Sequence, residues 1–270
     1  MNLFNSLPPR SVLYLPASRP RVIEKARGLP ADMIILDLED AVELGLKDEA
    51  RLAAVAAAAL GFGDRITAIR INGPGAQAHT ADIRAVGGSA CDVVIVPKIE
   101  DVAVAERLAQ TIGKPVIAMI ETPKGVLNAA AIAGGKTIVG LIAGTNDLAN
   151  ELHIPPGSGR SGLALALQTI VLAARAAKGW AFDGVFNDLT DSAGLEGECA
   201  EGRRFGFDGK TLIHPSQIEV ANRMWSSSAA EREEARALIA AASGGAERFR
   251  DRMIETMHVE MARRVLAREA

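Results

Sequence analysis

Val116-Ile117-Ala118-Met119-Ile120-Glu121 and, one Ala-rich stretch later, Ile138-Val139-Gly140-Leu141-Ile142-Ala143-Gly144-Thr145-Asn146-Asp147 are two apolar runs that each close on a carboxylate. Continuous apolar runs of this length, separated by a segment of helical composition, read as parallel strands buried on both faces. Glu121 and Asp147 would then stand just beyond the C-terminal ends of consecutive strands and converge at one rim of the sheet. Two hard oxygen donors with space left for water and substrate are a common way to hold Mg²⁺. The pair therefore points to a metal-assisted enzyme rather than a scaffold.

The same alternation extends outward in both directions. Strands are expected at 11–16, 33–38, 66–71, 92–97, 116–120, 137–143, 181–186 and 211–213, with helices at 21–27, 48–60, 102–111, 125–133 and 161–178. Repeated strand–helix units of this kind fit an α/β fold, a (β/α)8 TIM barrel, better than an open doubly wound sheet. The 270 residues suit one large domain. After Pro215 only helices are expected, at 217–225, 229–242 and 253–267. This divides the chain into a catalytic barrel over 1–225 and a helical C-terminal extension over 226–270. Ile254, Met257, Met261 and Val265 form an apolar stripe on the last helix. Beyond a closed barrel that stripe needs something to pack on, and a neighbouring subunit is a reasonable candidate.

Composition narrows the function classes. A net charge of −3 with interspersed signs, and no extended basic stripe, argues against nucleic acid and anionic membrane as partners. Cys91 and Cys199 form no CxxC pair and read as inert thiols of a reducing cytoplasm. Residues 1–10 lack the basic-then-apolar order of a leader, and no apolar stretch is long enough to span a bilayer, so a cytoplasmic protein is expected.

Other strand ends carry further candidates, since barrel enzymes gather functional groups there. Glu39 and Asp40 follow the second strand and either brace the rim or hold waters around the metal. Arg70 ends the third strand, where an unpaired guanidinium is costly; it pairs with a rim acid or grips a substrate carboxylate in bidentate fashion. Lys98 after the fourth strand is either a salt-bridge partner or a Schiff-base lysine. Gly144 and Thr145 open a close approach and, if a helix starts there, free N–H groups for an anion. Glu121 could instead cap the helix opening at Pro123, and Asp147 could complement a helix dipole. His214 before Pro215 reads as a strand end and helix start.

Arg10-Ser-Val-Leu-Tyr-Leu-Pro-Ala-Ser18, Ile35-Leu-Asp-Leu-Glu-Asp-Ala-Val42, Arg70-Ile-Asn72, Val96-Pro-Lys98, Ile120-Glu-Thr122, Gly144 to Leu148 and Gly206-Phe-Asp-Gly-Lys-Thr-Leu-Ile-His-Pro-Ser-Gln217 occur in that order. Taken together they resemble the aldolase and citrate lyase family, in its citrate lyase beta-subunit-like branch, with malyl-CoA and citramalyl-CoA lyases as relatives. The resemblance implies a barrel, a homotrimer or multiple of trimers, and Mg²⁺ held by Glu121 and Asp147. It implies that Arg70 binds the acid fragment and that Arg19, Arg21 and Lys25 lie where relatives contact coenzyme A phosphates. Related lyases place a C-terminal Asp in a neighbour's site as acid/base; here Glu255 stands at that position, one methylene longer, and the lead-in 247–251 is more charged than expected.

The implied reaction is reversible cleavage of a 3-hydroxyacyl thioester, such as citryl-, malyl- or citramalyl-CoA, into a keto acid and an acyl thioester. Alternatives are a CoA-independent keto-acid aldolase and a non-catalytic or acyl-carrier-dependent citrate lyase subunit homologue.

Overall fold

The computed structural model describes residues 7–268; positions 1–6, part of the segment read as carrying no leader, and 269–270 lie outside the described residues. The chain runs β1 (Ser11–Pro16), α1 (Pro20–Ala26), β2 (Met33–Asp37), α2 (Lys47–Leu60), β3 (Ile66–Arg70) and α3 (His79–Gly87). Next come β4 (Val93–Val96), α4 (Val102–Ile112), β5 (Val116–Ile120), α5 (Pro123–Leu127), α6 (Ala129–Ala133), β6 (Ile138–Ala143) and α7 (Thr145–Glu151). The barrel is completed by α8 (Ala164–Ala176), β7 (Trp180–Asp183), α9 (Ser192–Phe205), β8 (Gly209–Leu212) and α10 (Ile218–Trp225). Beyond it lie α11 (Ala229–Ala241), β9 (Glu247–Phe249), β10 (Arg252–Ile254) and α12 (Thr256–Ala267).

β1 to β8 form a closed barrel in sequence order, each strand parallel to its neighbours and β8 pairing back onto β1. This is the expected (β/α)8 barrel. Side chains alternate across each strand, so the barrel wall separates two apolar layers. Tyr14, Met33, Ile35, Met119, Ile142 and Phe182 belong to the cluster inside. Leu13, Leu36, Ile69, Ala118, Leu141 and Leu212 join the larger layer shared with the helices. Small residues on the helices, such as Ala50, Ala54, Ala105 and Ala109, let them sit close to the wall. This is how a core poor in aromatics reaches native packing.

Several expectations change in detail. The single helix expected over 125–133 divides into α5 and α6 at Asn128, whose φ of −100° and ψ of 4° leave the helical region. Its side-chain amide instead donates to the Glu100 carbonyl at 2.8 Å. The helix expected over 161–178 spends its first three residues in a tight 3-10 turn, Ser161–Leu163. The helix start left open at Gly144 and Thr145 is present as α7, while α3 and α9 are not among the expected helices. The glycines and charges of α9 hide its period, yet Gly202 is required there: a Cβ would lie 2.6 Å from Asp183 Oδ2.

The all-helical reading after Pro215 is also corrected. β9 and β10 form an antiparallel hairpin in which Met253 pairs with Arg248 and Ile254 with Glu247, so the last helix starts only at Thr256. Ile254 is buried in a small core with Ala235, Leu238, Phe249 and Ala262. Met257 and Met261, expected on the same buried face, are more than half exposed in this chain. The end of α12 returns to the barrel, where Arg268 donates to the carbonyls of Asp208 and Trp225 at 3.1 and 3.3 Å. Among the described residues, no helix is long and apolar enough to cross a membrane.

Candidate active site

Strand register brings the rim residues together. β5 and β6 are aligned with Ile120 opposite Ala143, which sets Glu121 and Gly144 side by side one residue further on. Thr122, not Glu121, caps α5: its hydroxyl accepts from Gly125 N–H at 3.0 Å, and Pro123 opens the helix. Glu121 is thereby released from capping and lies almost wholly buried in the barrel mouth. Its Oε1 accepts the Lys98 backbone N–H at 2.8 Å. Its other oxygen rests on Gly144, where a Cβ would come within 2.6 Å of Oε2 and 2.3 Å of the Glu121 Cβ. Gly144 is the residue before α7, and Asp147 falls in that helix's first turn.

Glu121, Gly144, Thr145, Asn146 and Asp147 line one cavity of about 310 Å³ together with Tyr14, Asp37, Asp40, Arg70 and Met119. The two carboxylates predicted to converge therefore do so. Burial first, and then the Asp147 charge, push the Glu121 carboxyl up to about 7. Asp147 is half-exposed and takes the Lys98 ammonium at 3.2 Å. Of the two readings of Lys98, the ion pair is the one present.

Arg70 and Asp37 close adjacent strands at the same register position. Asp37 is fully buried and accepts Arg70 Nε at 2.7 Å and Nη2 at 2.6 Å, besides the backbone N–H groups of Glu39 and Ala41. The guanidinium lies 4.7 Å above the Tyr14 ring. Its remaining nitrogen, Nη1, stands 3.0 Å from Glu39 Oε2 and 3.5 Å from Asp40 Oδ2. The Glu39 contact is electrostatic without hydrogen-bond alignment, since Glu39 Oε2 is buried without a protein hydrogen-bond partner. Burial raises the Glu39 carboxyl to about 8 against the opposing pull of Arg70. Asp37 was missed as a site residue in the sequence, where it is one acid among three in Asp37-Leu38-Glu39-Asp40. Its position two residues before Glu39, on the inward-facing side at the strand end, was the available signal.

The other candidates lie elsewhere. Arg19 and Arg21 are exposed at the start of α1 and Lys25 in its last turn, and none of them lines the cavity. Glu255 is exposed at the N-cap of α12, where its N–H donates to His258 Nδ1 at 3.0 Å. It borders a separate depression on the C-terminal unit, so this chain does not bring it to Glu121 and Asp147. His214 caps the Pro215–Gln217 turn, accepting from Ser216 N–H. Sequence reasoning also missed an ion cluster behind the rim. Arg160 contacts Asp183 with two nitrogens at 3.0 Å, and the fully buried Lys210 reaches Glu198 at 2.6 Å. Arg160 belongs to the segment after α7 and ties it to the end of β7.

The donor set suits a divalent cation. Two carboxylates share a cavity and repel each other, and a lysine ammonium already answers one of them. Among the described residues no three His, Cys, Asp or Glu side chains form a closed cage. Such an open, oxygen-only pair leaves positions for water and substrate, as Mg²⁺ sites commonly do.

Residues 10–215 match the family model described as HpcH/HpaI aldolase/citrate lyase. A (3S)-malyl-CoA thioesterase of Cereibacter sphaeroides is 43% identical over 270 residues, covering 97% of this chain and 94% of that protein. Citrate lyase subunit beta of Leuconostoc mesenteroides subsp. cremoris is 34% identical over 246 residues, covering 86% and 82%. Among solved structures, CitE from Mycobacterium tuberculosis in complex with magnesium, acetoacetate and coenzyme A superposes with a TM-score of 0.86 at 34% identity, over 98% of this chain and 99% of that one.

Proposed function

The chain belongs to the HpcH/HpaI aldolase/citrate lyase family, and on that premise we propose that it is a Mg²⁺-dependent carbon–carbon lyase acting on a 3-hydroxyacyl-CoA thioester. The observation that carries this reading is the meeting of Glu121, Asp147 and Arg70 in one cavity. The magnesium and coenzyme A bound by the M. tuberculosis CitE support the same metal and thioester class here. Glu121 and Asp147 would hold the cation. Bound there, Mg²⁺ supplies Lewis-acid polarisation of substrate oxygens.

The chain's own groups do the rest. Arg70, fixed by Asp37, orients and neutralises the carboxylate of the acid fragment through Nη1. Gly144 and Thr145 bring the start of α7 against the same fragment. Glu39 and Asp40 hold water and protons beside Arg70. As the 3-hydroxyl gives its proton, through held water, to the Asp40 carboxylate, the adjacent carbon–carbon bond breaks and its electron pair passes to the thioester α-carbon. That carbon then takes a proton from an acid. Glu255 of a neighbouring copy fills this role in our reading, since within one chain it does not reach the cavity. The barrel over 1–225 is thus the catalytic domain, and 226–270 packs on a neighbour, with a homotrimer or multiple of trimers as the assembly. Arg19, Arg21 and Lys25 contact the coenzyme A phosphates. The products are an acyl-CoA and a keto acid such as oxaloacetate, pyruvate or glyoxylate.

A second reading, hydrolysis of the thioester, is favoured by the 43% identity to a (3S)-malyl-CoA thioesterase. The two differ in which bond breaks. Incubation with malyl-, citramalyl- and citryl-CoA, each with and without Mg²⁺ and followed by product mass, separates them. Keto acid plus acyl-CoA supports the lyase; hydroxy acid plus free coenzyme A supports hydrolysis. Carbon–carbon cleavage without Mg²⁺ contradicts the metal-dependent lyase reading.

A further inference from the structure

We propose that Lys98 is a built-in counter-cation of the Glu121–Asp147 pair, whose ammonium holds the positive charge that a divalent ion takes over and must leave Asp147 for that ion to bind. This rests on the metal-site reading above and goes beyond it, because it concerns how the chain manages the site before the ion arrives.

The geometry singles out this residue. Lys98 lies two positions beyond β4 with φ at +54°, a left-handed conformation that is uncommon for a residue with a side chain. Such a conformation carries a cost and persists where the surroundings enforce it. Here it lets one residue touch both carboxylates, the backbone N–H on Glu121 Oε1 at 2.8 Å and the Nζ on Asp147 Oδ2 at 3.2 Å. Arg70, the cation that lines the cavity, is already committed through two nitrogens to Asp37.

The two contacts also differ in a useful way. The backbone bond to Glu121 is fixed by the fold. The side-chain bond to Asp147 is not, since the Lys98 side chain is half-exposed and can swing into water. Lysine suits this role, being a compact charge on a flexible stem that needs no planar partner. With Lys98 in place, Asp147 is neutralised and its repulsion of Glu121 is relieved. With a divalent ion in place, Lys98 is a like charge beside it and is displaced. The metal-free site thus keeps one of the two positive charges that a divalent ion supplies, and metal affinity is set below what the two carboxylates alone would give.

Calorimetric titration of Mg²⁺ into the full chain tests this. Lys98→Met, which keeps length and removes charge, should bind Mg²⁺ on the order of fivefold more tightly than the parent, the scale of one lost ion-pair competitor. A second measurement needs no variant: acetylation of Lys98 by acetic anhydride, followed by peptide mass, should increase at least about twofold when Mg²⁺ is added, as loss of the exposed ion pair frees the amine. Unchanged or weaker Mg²⁺ binding by a folded Lys98→Met overturns the proposal, as does protection of Lys98 by Mg²⁺. Absence of Mg²⁺ binding by the parent chain overturns the metal-site reading itself and this inference with it, a result distinct from equal affinities.

Discussion

Gly144→Ala is the smallest change that should disable the site. Added at position 144, a Cβ would lie 2.3 Å from the Glu121 Cβ and 2.6 Å from Glu121 Oε2, whereas ordinary contact begins at 3.4 Å. Relief requires a movement of about 1 Å, and Glu121 has little freedom to make it, being buried and tethered to the Lys98 N–H. A displacement of that size at a reacting centre costs on the order of 10²-fold in rate. Forced repacking adds roughly 1–3 kcal/mol of destabilisation, and each kcal/mol lowers the melting temperature by about 2–4 °C in a chain of this size. Gly45→Ala is the control, because nothing lies within 4 Å of the added carbon. Mg²⁺ titration, steady-state turnover of the active CoA ester and thermal melting should all register Gly144→Ala and none should register Gly45→Ala. Wild-type metal affinity and turnover in Gly144→Ala would refute the contact between Gly144 and Glu121 as the organising feature of the rim.

Arg70→Met should cost stability as well as activity. It strands Asp37, fully buried and otherwise held only by backbone N–H groups, and breaking such a pair typically costs about 3–5 kcal/mol; urea unfolding with no change in midpoint would contradict the buried pair. The pH dependence of the metal-free protein has a defined sign. Glu39 and Glu121 sit at about 8 and about 7 in the fold, above the ordinary 4.5, so the native state keeps protons that the unfolded chain releases. Stability should therefore fall as pH rises from about 4.5 through about 8, and Glu39→Gln should flatten that fall. Urea midpoints measured in chelator at pH 5 and pH 9 decide it; a rise toward alkaline pH, or an unaltered slope in the variant, would sink the account.

Legibility differed from residue to residue. Glu121 and Asp147 could be read because each ends a continuous apolar run, and parallel strands one helix apart deliver their ends to the same rim. Arg70 was visible for the same reason, but not its clamp by Asp37, which depends on a register between segments far apart in the chain. The Arg160–Asp183–Lys210 cluster joins three such segments and left no local trace. α9 was hidden because it carries glycines at 194, 197 and 202, the last of which packs against Asp183. The β9–β10 hairpin escaped because its strands are three residues long and rich in arginine, without a clean period of two. Glu255 was inferred from its position in the resemblance alone, and within this chain it borders a depression apart from the cavity.

Glu121 and Asp147 holding one divalent ion between them is the feature from which every proposed step follows. Crystals soaked in Mn²⁺ and measured for anomalous scattering test this most directly, alongside the same experiment on Glu121→Gln and Asp147→Asn. A single strong peak contacting both carboxylates, lost in each variant, is the predicted result. A peak elsewhere in the chain, or one that survives both substitutions, would contradict it.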